Sequence, residues 1–211
     1  MIFMENINEE YLKSIFDCFK KLDYINPDEI PNIDLNMDQV TTFMDEHLKA
    51  SKRYSEDKLL TKTMINNYTK NNLLPSPNKK KYSKEHMLLL IFIYYFKNIL
   101  SISDIQSIFN PLTEKYYGEK SDIGLEKIYK EVFKNQNDQM DALIKDVIRK
   151  YNKSRETFTD DQPGEDRDFL NNFSFICMLS FDVYIKKQLI EKIIDDTLID
   201  KNKKEKEKEK E

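Results

Sequence analysis

Leu60-Thr61-Lys62-Thr63-Met64-Ile65-Asn66-Asn67-Tyr68-Thr69-Lys70-Asn71-Asn72-Leu73-Leu74-Pro75-Ser76-Pro77-Asn78-Lys79-Lys80-Lys81-Tyr82 decides how the rest of the chain is organised. Thr61 is a good N-cap with Leu60 just before it, so a helix starts there. Leu60, Met64 and Tyr68 form one stripe with Ile65 alongside. Lys62, Asn66 and Lys70 lie about 200° round the helix from that stripe. One face can pack while the other carries two lysines and an asparagine, flanked by Thr63 and Asn67. Asn72 tolerates positive φ and reads as a left-handed C-cap. Pro75 and Pro77 then forbid helix and predict an extended, hairpin-like excursion carrying Lys79, Lys80 and Lys81 beside Tyr82.

Upstream, Asn36 caps a helix with Met37, Val40, Met44 and Leu48 on one face. It is placed to support the helix at 61–72, across a polar loop at 50–58 that is longer than a tight turn. Before it, Ile7, Tyr11, Ile15, Phe19 and Leu22, widened by Leu12 and Phe16, predict a helix over 5–23, and Pro27 and Pro31 mark a linker. Downstream, Ser83 caps a helix reaching about Asn98 that is apolar nearly all round and therefore buried. Ser101 and Asp104 form a capping box for a short helix ending at Pro111, with 112–121 irregular. A long helix over 122–157 follows, its stripe Leu125, Ile128, Val132, Met140, Leu143, Val147 and Tyr151 interrupted by Gln136. A turn at 160–166 leads to a helix over 167–198, apolar on nearly every side between Phe173 and Tyr184. That excess implies burial within the domain plus some contact between copies. The alternating Lys/Glu tract at 201–211 has no core to join and reads as disordered.

The pattern is mainly all-α, in four regions: an N-terminal helix at 1–29, a central region at 30–111 built round the helix at 61–72 and the excursion after it, a C-terminal helical region at 112–200 and the tail at 201–211. Composition agrees. With 3 Gly in 211 residues the chain lacks the glycines that sheets and phosphate-cradling loops consume. Cys18 and Cys177 sit in apolar helical contexts, as buried free thiols of a reducing compartment do. The longest apolar run, Met87 to Phe96, is half the ~20 residues of a membrane span. The first ten residues do not read as a signal peptide, so the chain reads as cytoplasmic, without a membrane partner. His47 and His86 have no Cys or second His at ligand spacing, and no carboxylate pair stands out for acid–base work. No catalytic residue, metal or cofactor is expected. Charge is uneven: residues 52–86 carry nine cations against three anions, a net +6 inside a chain of net −4. Such an island is an electrostatic footprint.

Met64-Ile65-Asn66-Asn67-Tyr68-Thr69-Lys70-Asn71-Asn72-Leu73-Leu74-Pro75-Ser76-Pro77 resembles the recognition helix and the start of the wing in MerR-type winged helix-turn-helix regulators, where an apolar-Ile-Arg-Tyr-Tyr-Glu stretch leads into Gly-Leu-Leu-Pro. Tyr68 falls on the second tyrosine, Asn72 on the glycine and Tyr82 near the wing tyrosine. Asn66-Asn67 stand where that family has Arg-Tyr. The wider stretch, through Ile30-Pro31-Asn32-Ile33-Asp34-Leu35, Met37-Asp38-Gln39-Val40, Leu60 to Tyr68 and Lys80-Lys81-Tyr82-Ser83, is similar to a bacterial family, domain of unknown function 1836. The resemblance implies a MerR-like DNA-binding fold with a small wing and a regulatory role; it names no ligand or operator.

The function expected is a DNA-binding transcriptional regulator. Helix 61–72 would enter the major groove and the basic wing 75–82 would lie on phosphates. The residues expected to take part are Lys62, Thr63, Asn66, Asn67, Tyr68, Lys70, Lys79, Lys80, Lys81 and Tyr82. Asn can pair with adenine edges and Lys with phosphates or guanine. The partners expected are double-stranded DNA and a second copy of the chain, with the effector unassigned. The rival reading is an interaction module that grips an acidic protein with the same surface.

Overall fold

Local capping signals set most helix starts in the computed structural model, which describes residues 13–14, 16–17, 24–118, 121–158 and 165–199. Seven α-helices are found among them: α1 Met37–Leu48, α2 Lys62–Lys70, α3 Lys84–Phe96, α4 Ile102–Tyr116, α5 Leu125–Phe133, α6 Gln136–Arg155 and α7 Glu165–Ile194. The described residues are mainly helical and contain no strand beyond isolated bridges. Asn36 opens α1, its side chain accepting the N–H groups of Asp38 and Gln39 while Gln39 Oε1 accepts the Asn36 N–H at 2.9 Å. Ser101 and Asp104 close the same box at α4, and Thr61 opens α2 by accepting the Met64 N–H alone. Most of the helix expected over 5–23 lies outside the described residues, as does the tail at 201–211.

The described residues fall into two compact units, one within Cys18–Phe133 and Ile193–Glu211, the other within Met1–Asp17 and Lys134–Lys192. The first is built round α3, whose residues His86 to Tyr94 are all buried. α5 packs on it through aromatic rings. Tyr129 lies 5.2 Å from Phe92 and 4.6 Å from Phe133, and its hydroxyl donates to the Ile25 carbonyl at 2.8 Å. Burial pushes that phenol well above its usual range. Lys84 and Lys130 both reach Glu126, and Lys130 also reaches Asp28 beside the 3-10 turn Pro27–Glu29. In the second unit Val147 and Tyr151 of α6 pack on Phe175 of α7, with Phe16 and Leu179 against them. Lys150 bridges Asp146 and Asp182 across that pair.

Three expectations are corrected. The helix expected to end at Pro111 continues to Tyr116. Pro111 removes the donor to the Ser107 carbonyl, at a cost of about 3 kcal/mol, but buried Phe109 and the Thr113 hydroxyl bonded to the Phe109 carbonyl at 2.9 Å hold the next turn. The single helix expected over 122–157 breaks at Lys134–Asn135. Its two apolar stretches serve different cores, and the polar residues between them have nothing to pack. In α5 the buried stripe runs through Leu125 and Tyr129, leaving Val132 exposed. Cys177, expected buried, is exposed and free; Cys18 lies outside the described residues. Among the described residues no helix is long and apolar enough to cross a membrane.

Candidate nucleic-acid interface

α2 is held from beneath and from both ends. Ile65 is fully buried and Tyr68 nearly so. Its N-cap Thr61 accepts the Met64 N–H at 3.2 Å. The long α1–α2 connection is rigid on its own account. The 3-10 turn Lys49–Ser51 continues α1, Asp57 Oδ2 accepts the N–H groups of Arg53 and Tyr54 at 3.1 and 3.0 Å, and Leu59 and Leu60 are buried. From α3, Lys97 Nζ donates to the Leu59 carbonyl, a contact made as burial pulls its ammonium below the ordinary lysine range. At the other end Gln106 of α4 donates to the Asn71 carbonyl. The side left open carries Lys62, Thr63, Asn66, Asn67 and Lys70, all exposed, within about 140° of arc.

The chain leaves α2 through Asn72, whose φ of +55° makes it the left-handed cap. Leu73 and Leu74 are buried and both donate to the Tyr68 carbonyl, at 2.8 and 3.3 Å. The excursion beyond the prolines is a miniature hairpin. Asn78 and Lys81 form an antiparallel bridge, with the Lys81 N–H on the Asn78 carbonyl at 2.8 Å. Lys79 and Lys80 between them have φ of +47° and +62°. Positive φ at both central residues is the signature of a type I′ turn, which Asn-Gly fills best. A lysine there costs about 1–2 kcal/mol. At the base, Tyr82 and Leu35 exchange N–H···O bonds of 2.8 Å in each direction, tying the hairpin to the segment before α1. Tyr68 is 7 % and Tyr82 3 % exposed. These two tyrosines, expected among the contacting residues, support the surface instead of lying on it, because each fills core beneath it.

The basic island is smaller in three dimensions than along the chain. Lys52 pairs with Asp45 at 2.7 Å and Lys84 with Glu126 at 2.9 Å. Lys62 pairs with Asp38, in the first turn of α1. Lys70, Lys79, Lys80 and Lys81 are exposed and have no ion-pair partner among the described residues. Arg53 and Lys58, also exposed, lie in the α1–α2 connection, so on the α2 face and the hairpin the free positive charge sits at the end of α2 and on the hairpin tip. If this face meets a duplex, Asp38→Asn, which releases Lys62, is expected to tighten that binding a few-fold at low salt. A titration at two salt concentrations checks this; unchanged affinity at both would show that Lys62 takes no part.

His86 is 3 % exposed and joins the hairpin to the core. Its Nδ1 accepts the Ser83 N–H at 3.0 Å, closing a capping box at the start of α3. An acceptor Nδ1 is unprotonated, so the proton of the neutral ring sits on Nε2. The Tyr117 hydroxyl lies 3.0 Å from Nε2, and the Tyr82 ring stands edge-on at 5.5 Å. Burial holds the imidazole below its ordinary value of 6.5, partly offset by hydrogen bonding to the backbone at Ser76 and Pro75 and by the charge of Asp34. The folded protein therefore binds fewer protons here than the unfolded chain. The stability from neutral His86 is complete above about pH 6.5 and is lost as pH falls below it. Gln at this position keeps the cap without titrating. Between pH 7.5 and 5.5 (about one unit either side of the ordinary His value), the melting temperature of His86→Gln should fall less than that of the parent. Equal falls would acquit His86. The only sequence signal for this role was its place three residues after Ser83.

His47 is a helix-surface residue, stacked on Phe43 at 3.9 Å with Nε2 3.5 Å from Glu29. Among the described residues no three His, Cys, Asp or Glu side chains are arranged to hold a metal. An open groove of about 280 Å³ lies between the hairpin base and α4, lined by Asn72, Pro75, Ser76, Asn110, Glu114 and Tyr117 among others.

No curated protein and no solved structure matches the chain. A family model, Domain of unknown function (DUF1836), matches residues 25–133. That span contains every element from the 3-10 turn Pro27–Glu29 through α5, hence the whole of the candidate surface and the core that holds it. The chain belongs to the DUF1836 family.

Proposed function

We propose that this chain binds double-stranded DNA as a transcriptional regulator, with α1, α2 and the hairpin acting as a MerR-like winged helix-turn-helix. α2 would enter the major groove with Asn66 and Asn67 toward base edges. Lys70 and the wing lysines would lie on flanking phosphates, joined by Lys62 once released from Asp38. The observation that carries this reading is the pair Lys79–Lys80, exposed, unpaired and held at positive φ. A backbone that costs free energy at a turn where Asn-Gly would relieve it points to a role for the charges themselves. Leu73, Leu74 and Tyr82, buried below the wing, aim it rigidly.

The test is binding of the full chain to a mixed-sequence duplex across a salt series. Lys70 and the three wing lysines, one phosphate each, predict a log–log slope of about −3.6, at about 0.9 per contact. A slope near zero, or capture by polyglutamate as tight as by duplex, would reject the proposal in favour of an acidic protein partner. Selection of bound fragments from the parent genome would then give the operator.

A further inference from the structure

α7 uses one side to pack in its own unit and leaves the other bare. Phe175 and Leu179 face α6, and Asp182 meets Lys150. Round the helix from that contact, over about 80–180° from Phe175, Phe169, Phe173, Ile176, Val183 and Tyr184 are 54–68 % exposed. From Phe169 to Phe181 there is no charged residue. Phe169, Phe173, Ile176, Ser180 and Val183 follow one another at intervals of four, three, four and three. That is the alternation of a helix seam that pairs with another helix. Monomers rarely leave so large a contiguous apolar surface open to water.

We propose that this face of α7 pairs antiparallel with the same face of a second copy of the chain. Three observations choose that occupant. The first is charge. Asp166 lies on the seam at one end and Lys187, which also meets Glu191 on its own helix, on the seam at the other. Antiparallel pairing sets each acidic end beside a lysine end, whereas parallel pairing sets like beside like. The second is shape: the seam carries large rings toward its N-terminal end and the small Ser180 and Val183 toward its C-terminal end, so reversal places large against small. The third is area. Five such side chains and their flanks would bury about 600 Å² per copy, about 1,200 Å² for the pair, the lower bound for a specific interface. The surface belongs to the unit that does not carry the candidate DNA interface, so the pairing holds or fails apart from the DNA-binding reading.

The full chain should sediment at twice its monomer mass at micromolar concentration. Ile176→Asp, at an exposed position near the centre of the seam, should give a monomer with unchanged helix content and a melting temperature that no longer depends on protein concentration. Asp166→Lys and Lys187→Glu should each weaken the dimer on the order of tenfold, and the double exchange should restore most of that loss. Cys177, exposed near the middle of α7, should cross-link to its counterpart through a short bis-maleimide. A parent protein that stays monomeric, or an Ile176→Asp variant with unchanged mass, would overturn the proposal. A double exchange weaker than either single one would overturn the antiparallel arrangement.

Discussion

Replacing Lys79-Lys80 by Asn-Gly is expected to make the protein more stable and its DNA binding weaker. Both lysines sit at positive φ. Gly takes such a conformation without steric cost, and Asn more readily than Lys. Each replacement should therefore return about 1 kcal/mol, raising the melting temperature by several degrees for a unit of this size. The same change removes two of the three wing lysines while keeping the turn. Loss of two phosphate contacts should flatten the salt slope by about 1.8 and cost roughly 10- to 100-fold in affinity at 0.1 M salt, alike on every sequence. The paired measurement separates the readings. Higher stability with unchanged affinity would mean that the lysines are tolerated and not used. Alanine at 79, 80 and 81 should weaken binding further without the gain in stability, since Ala keeps the positive-φ penalty.

Asn66→Ala is expected to act on one sequence only. Asn66 is exposed in the middle of α2, one turn from Lys62 and Lys70 on the same side, with Asn67 beside it. Its amide can donate to and accept from an adenine edge, an arrangement that discriminates by about 1–3 kcal/mol. The substitution sits on a solvent face of a good helix former, so the fold should hold. On the selected operator, affinity should drop about 5- to 150-fold; on random duplex it should not change. Equal losses on both would assign Asn66 to the backbone and leave base reading to its neighbours. With α7 pairing two copies about a two-fold axis, the selected operator should also be an inverted repeat.

Nearly everything legible in the sequence was local. Asn36, Thr61, Ser83 and Ser101 announced helix starts because a cap is a contract between residues two or three apart, and each one closes in the structure. Asn72 announced its left-handed turn for the same reason. The two prolines announced the excursion at 75–82 by removing donors and fixing φ. The exposed face of α2 followed from helical geometry alone, as did the excess of apolar surface on α7. The resemblance to domain of unknown function 1836, too, rests on residues close together in the chain and agrees with the match over 25–133.

What only the tertiary structure decided depends on neighbours far apart in sequence. Pro111 stays inside α4 because Phe109 and Tyr117 are held by other elements. The helix expected over 122–157 is two helices because Tyr129 belongs with Phe92, while Tyr151 belongs with Phe175. The nine cations of residues 52–86 looked alike in sequence, yet three of them meet Asp45, Asp38 and Glu126, two lie in the α1–α2 connection, and four remain at Lys70 and the wing tip. His86 became a buried tie to the wing through contacts with Tyr82 and Tyr117. Caps and periodicity are fixed by bonds that span a few residues. Burial and charge pairing are fixed by whichever distant side chains the packed core brings within reach.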